Sequence, residues 1–142
     1  MAKDPVSHQP FEKLQDGDTL VLFVHGFAGS PNQFRNLAAL AYRQGCSVSS
    51  VLLPGHGGSC WDFCRCRGEQ WSQHLQQKLE QYRKADPNIL LVGHSMGGLL
   101  CLNASLIEEI HIKGILAIAA PIRIRVSPPI SHHVLPVSNA PV

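Results

Sequence analysis

Apolar residues in this chain fall into short unbroken runs, separated by segments where they recur at helical spacing. Thr19-Leu20-Val21-Leu22-Phe23-Val24 is the first run, and its β-branched and aromatic members predict a strand buried on both faces. Cys46 to Leu53, Ile89-Leu90-Leu91-Val92 and Gly114-Ile115-Leu116-Ala117-Ile118-Ala119-Ala120 predict three more strands. Between the first two, Phe34, Leu37, Ala38, Leu40 and Ala41 form one side of a helix. Ser30 is placed to cap it, Pro31 to open it and Gly45 to end it. Trp71, Leu75, Leu79 and Tyr82 fall at i, i+4, i+8 and i+11, the stripe of a helix that begins near Glu69 and breaks at Asp86-Pro87-Asn88. Leu99, Leu100, Leu102, Leu106 and Ile107 predict a third helix, apolar enough to be largely buried. Residues 60–68, with Trp61 and Phe63, keep neither period and read as irregular. A short strand near Phe11 is the one element expected before the turn at Asp16-Gly17-Asp18.

Alternating strands and helices imply an α/β domain: a mostly parallel sheet, right-handed crossovers and helices on both faces, giving three layers. Residues 1–18 read as a polar leader and 19–126 as the folded part. The proline-punctuated stretch 127–142 reads as an unstructured tail. In such a sheet, ligand sites gather at the carboxyl ends of the strands. Three loops fall there: His25-Gly26-Phe27-Ala28-Gly29-Ser30, Pro54-Gly55-His56-Gly57-Gly58-Ser59, and the turn after Val92.

Composition narrows the classes. At 142 residues, 44% hydrophobic and 15% charged, the chain is at most one globular domain. A net charge of +2 without a clustered basic patch leaves no footprint for nucleic acid. No apolar run is long enough to span a bilayer, and the first residues lack the apolar core of a secretory signal, so a cytoplasmic chain is expected. The five cysteines, Cys46, Cys60, Cys64, Cys66 and Cys101, are an odd set and read as free thiols. Cys60-x3-Cys64-x-Cys66 with His56 nearby matches no common zinc spacing, and no metal or cofactor is expected.

The chemistry concentrates at Gly93-His94-Ser95-Met96-Gly97, between a predicted strand and a predicted helix. A serine on so sharp a turn is held in a strained backbone with its hydroxyl thrust out above the sheet. Side chains at 93 and 97 would collide with the neighbouring strand and helix. The serine also meets a helix N-terminus, whose unpaired N–H groups favour negative charge. The bland alternative is an ordinary glycine-rich turn of some other parallel-sheet protein.

Taken with Val24-His25-Gly26-Phe27 and Leu53-Pro54-Gly55-His56-Gly57, this motif resembles those of the α/β-hydrolases. It is similar in particular to small carboxylesterases and monoacylglycerol-lipase-like esterases of the serine aminopeptidase S33 type, over about residues 19–122. The resemblance implies Ser95 as nucleophile and the backbone N–H groups of Phe27 and Met96 as an oxyanion hole. It also implies ester hydrolysis through an acyl-enzyme, on a small-molecule ester with an apolar acyl chain. His25 reads as a partner of the loop backbone, His94 as a side chain turned away from the Ser95 hydroxyl, and His56 as a residue at the site mouth. Trp61 and Trp71 read as core or covering residues.

In this superfamily an Asp or Glu and then a His follow the serine. Here no Asp follows Ser95, Glu108 and Glu109 close the predicted helix, Pro121 and Ile122 stand at the end of the fourth strand, and His132 and His133 lie in the tail. The chain therefore looks like the N-terminal half to two-thirds of a hydrolase, with the triad acid and base missing and little or no turnover expected. Its fourth strand is expected to be an exposed edge open to self-association. A non-catalytic pseudohydrolase that binds an apolar ligand or partner, and a peptidase or thioesterase of the same fold, are the competing readings.

Overall fold

The computed structural model describes residues 8–85, 87–107 and 111–123. Five strands form one sheet in the order β1-β3-β2-β4-β5: β1 Phe11–Lys13, β2 Thr19–Val24, β3 Ser47–Val51, β4 Asn88–His94 and β5 Ile112–Ile118. β2, β3, β4 and β5 are parallel, and the three-residue β1 closes one edge antiparallel to β3. The fold class expected from the alternation is the one observed.

Strand pleating decides which residues meet which helix. Val21, Phe23, Val48 and Val92 turn to one face and are covered by Phe34 and Ala38, on the 3-10 turn Pro31–Phe34 and helix α1 Arg35–Arg43. Leu22, Val24, Val51 and Leu91 turn to the other face. There Trp71, Leu75 and Leu79 of α3 Gly68–Arg83 and Leu100, Cys101 and Ala104 of α4 Met96–Ala104 cover them. The β2 side chains from Leu20 to Val24 are buried, as a run without polar alternation requires.

Several elements differ from expectation, each for a local reason. Residues 60–65 are not irregular but form helix α2, Cys60–Arg65, started by a reciprocal cap. The Ser59 hydroxyl accepts from the Asp62 N–H, and the Asp62 carboxylate accepts from the Ser59 N–H. Trp61 on its outer face is 78% exposed, so it is neither core nor cover; Trp71 is core. The Ser30 side chain makes no capping bond, because Pro31 opens a 3-10 turn and α1 begins only at Arg35. The helix after Ser95 ends at Ala104, and Leu106 is exposed beyond it. Leu99 and Leu102 of α4 are also partly exposed, so that helix is less covered than its composition suggests. β5 starts and stops two residues early, ending where Ala119 adopts φ 50°. The expectations for Glu108, Glu109 and the 127–142 tail fall outside the described residues.

Candidate active site

β4 delivers Ser95 to the carboxyl end of the sheet, and α4 begins one residue later. At φ 50°, ψ −120° the Ser95 backbone lies where L-residues seldom go, at a cost on the order of 1–3 kcal/mol. Three hydrogen bonds hold it there. Its N–H donates to the Ile118 carbonyl at 2.8 Å, and its carbonyl accepts from the Gly98 and Leu99 N–H groups. The glycines on either side are dictated by contact. A Cβ on Gly97 would lie 2.1 Å from the Val24 carbonyl oxygen, and one on Gly93 would lie 2.5 Å from that of Gly97. Met96 takes the first helical position, where an N–H has no intrahelical acceptor.

The loop after β2 abuts this turn. A Cβ on Gly26 would fall 3.2 Å from Cβ of Ser95 and 3.1 Å from Nδ1 of His94. Gly26 to Gly29 close a four-residue turn through a Gly29 N–H to Gly26 carbonyl bond of 3.0 Å, with Ala28 at φ 52°. Phe27 stands second in that turn, so its N–H is not used by the turn's own bond.

His25 is fully buried and both its ring nitrogens are engaged. Nε2 accepts from the Leu53 N–H at 3.0 Å, and Nδ1–H donates to the Gly26 carbonyl at 2.9 Å. This pattern fixes a neutral tautomer. Burial pulls the pKa down to about 4, against the opposing pull of the Gly26 carbonyl, and neighbouring His56 lowers it further. His25 is thus a pin between the ends of β2 and β3. Its nitrogens are taken, so it is no base for Ser95.

Sequence reasoning named these aromatic residues one by one but did not bring them together as the roof they form. Phe27, 62% exposed, meets Phe63 of α2 edge-on at 4.8 Å and Trp71 at 6.2 Å. His56 is buried beneath Phe63, 4.8 Å away and edge-on to His25 at 4.7 Å, and lines the larger cavity beside the loop after β2. Trp71 is tied by Nε1–H to the Pro54 carbonyl at 2.9 Å. The sequence signal for α2 was Ser59-x-x-Asp62, a capping box without hydrophobic periodicity behind it.

Two cavities flank the turn. One of about 560 Å³ lies between Ala28–Ser30 and Gly55–Cys60, with Phe63 in its wall. Another of about 270 Å³ is lined by Gln33, Phe34, Leu37, His94 and Ile118. His94 is half-buried; its Nδ1 is enclosed against Gly26 without a hydrogen bond.

The described residues after Ser95 contain no carboxylate and one imidazole, His111. His111 precedes β5 in a sheet parallel to β4, so it starts at the far end, about 20 Å of strand from the Ser95 level. His132, His133, Glu108 and Glu109 are outside the described residues. Also among the described residues, no group of three or more His, Cys, Asp or Glu is placed to hold a metal ion, and all five cysteines are free thiols.

A strained serine at a strand-to-helix turn is thus flanked by a glycine loop after a central strand. The α/β hydrolase family model covers residues 21–141. The chain belongs to the α/β-hydrolase family. This α/β-hydrolase chain is 33% identical over 94 residues to a thermostable monoacylglycerol lipase of Bacillus sp. (strain H-257), covering 66% of this chain and 37% of that one. It is 29% identical over 122 residues to a carboxylesterase of Bacillus subtilis (strain 168), covering 84% and 48%. A solved structure described under LipS and LipT, two metagenome-derived lipolytic enzymes, superposes with a TM-score of 0.76 at 28% identity, over 84% of this chain and 48% of that one. The α/β-hydrolase chain thus spans half or less of the length of these relatives. No helix among its described residues is long and apolar enough to cross a membrane.

Proposed function

We propose that this chain carries the nucleophile and oxyanion half of a serine carboxylic-ester hydrolase. Ser95 attacks the ester carbonyl to form an acyl-enzyme, and the alcohol leaves with a proton. The Met96 N–H at the start of α4 and the Phe27 N–H of the adjoining turn receive the carbonyl oxygen as it becomes negative. Donors of this kind supply about 3–4 kcal/mol each to such a transition state. Phe27 and the cavity wall of Phe34, Leu37 and Ile118 offer apolar surface to an acyl chain. The kinship with a monoacylglycerol lipase and a carboxylesterase supports the ester as substrate class. The observation that carries the reading is the Ser95 backbone at φ 50°, a strain that projects the hydroxyl clear of the sheet.

Low turnover is expected of this chain, because no general base stands at Ser95 among the described residues, and a hydroxyl without one retains only the residual rate given by the oxyanion hole and binding. Treatment with a fluorophosphonate probe tests both parts. Weak labelling confined to Ser95, absent from Ser95→Ala, is expected. Labelling that persists in Ser95→Ala overturns the nucleophile assignment, and rapid stoichiometric labelling overturns the incomplete-triad reading.

A further inference from the structure

On the flank of the sheet away from Ser95, a groove of about 400 Å³ runs between β1 and α1, within the size range of small-molecule sites. Strand pleating sorts its charges. Phe11 and Lys13, two apart on β1, point to the α1 face, whereas Glu12 turns its carboxylate to the Tyr82 hydroxyl on the α3 side. On α1, Arg35, Ala39 and Arg43 fall at i, i+4 and i+8 and border the same groove. The result is an apolar floor with three exposed cations around it and its one acid turned away. Lys13 and Arg43 flank Tyr42, with the Lys13 Nζ 5.6 Å from the ring centroid. Arg35 stands about 12 Å along the helix from Arg43. Ala39, between the two arginines, leaves the passage open.

We propose that this groove binds an anionic amphiphile. An aliphatic chain lies over Ala39 and Val48, and a carboxylate or phosphate head is held between Lys13 and Arg43 at the Tyr42 end. Guanidinium recognises either head group with paired N–H donors, and both ions attract it at short range. Binding here uses none of the residues around Ser95, so it holds whether or not Ser95 is a nucleophile.

The test titrates the ¹⁵N-labelled chain with laurate, dodecyl phosphate and dodecyltrimethylammonium, each below its critical micelle concentration. Both anions are expected to shift the amides of β1 and α1, and the cation is not. The tighter of the two anions identifies the natural head group as carboxylate or phosphate. The Lys13→Glu/Arg43→Glu variant should lose at least tenfold in affinity, and Ala39→Trp, which fills the passage, should lose as much. If the charge reversal fails to fold, as judged by amide dispersion, Lys13→Gln/Arg43→Gln takes its place with the same expectation. Shifts confined to residues 25–29 and 94–97, equal binding of the cation, or undiminished affinity in the charge variants overturn the proposal.

Discussion

The Ser95 N–H donates to the carbonyl of Ile118, the last residue of β5, so the turn at Ser95 is anchored to the outermost parallel strand among the described residues. Immediately after that anchor Ala119 also sits at φ 50°. Two residues at positive φ, each one position past its strand, therefore stand on either side of the hydrogen bond that joins the two strand ends.

Relief of this strain is measurable. Glycine adopts positive φ without a Cβ penalty, so Ser95→Gly is expected to raise unfolding stability by about 1 kcal/mol, while Ser95→Ala leaves it within about 0.5 kcal/mol. Ala119→Gly should act in the same direction as Ser95→Gly. Urea unfolding of the three variants checks this; a Ser95→Gly no more stable than Ser95→Ala shows that the turn stores no strain.

His25 makes stability depend on pH. Folding lowers its pKa from 6.5 to about 4, so between those values the unfolded chain holds the extra proton. The stabilisation from the neutral ring is full above pH 6.5 and declines as pH falls towards 4, by about 3 kcal/mol in all. His74, whose pKa is lowered by burial and by Lys78, contributes with the same sign. Unfolding midpoints at pH 5.0 and 7.5 should therefore differ clearly in the parent chain. In His25→Asn the difference should shrink to what His74 supplies.

The capping box of α2 controls the roof. Ser59→Ala removes an acceptor for the Asp62 N–H, and loss of a serine cap costs about 1 kcal/mol of helix stability. Phe63 then loosens from Phe27 and Trp71. Quenching of tryptophan emission by acrylamide should rise in Ser59→Ala, and Ser59→Thr, which keeps the hydroxyl that bonds Asp62, should restore the parent value.

Among the described residues β5 pairs only with β4, and on it Leu116 is 53% exposed. Unpaired strand edges with apolar side chains associate. Sedimentation velocity should show concentration-dependent oligomers of the parent chain, and Leu116→Lys should shift the population several-fold towards monomer. A parent chain that stays monomeric at all concentrations removes the edge as an association surface.

The parallel sheet and the turn at Ser95 were legible because they depend on strong local signals. A six-residue apolar run such as Thr19–Val24 has few places to go except a buried strand. Glycines at 93 and 97 mark contacts that tolerate no side chain. α2 was not legible by periodicity, since a six-residue helix with Cys60, Trp61 and Cys64 on its outer side buries too little to show a stripe. The burial of His56 escaped for another reason. It depends on Phe63 and Trp71, which lie 7 and 15 residues further on and meet only once the fold has closed. Glycine-rich loops look solvated in sequence because nothing local says what will cover them.

His25 bridges two loops that sequence separates by nearly thirty residues, accepting a hydrogen bond from the β3 end and donating one to its own following residue. An imidazole in that position behaves as an extra rung where the ladder between β2 and β3 has run out. Anything that pries Phe27 upward must therefore drag the Leu53–Pro54 corner with it. The main chain around His25 is thus tied at two strand ends, whereas Phe63, packed on Phe27 and His56, hangs on the short helix that Ser59 begins.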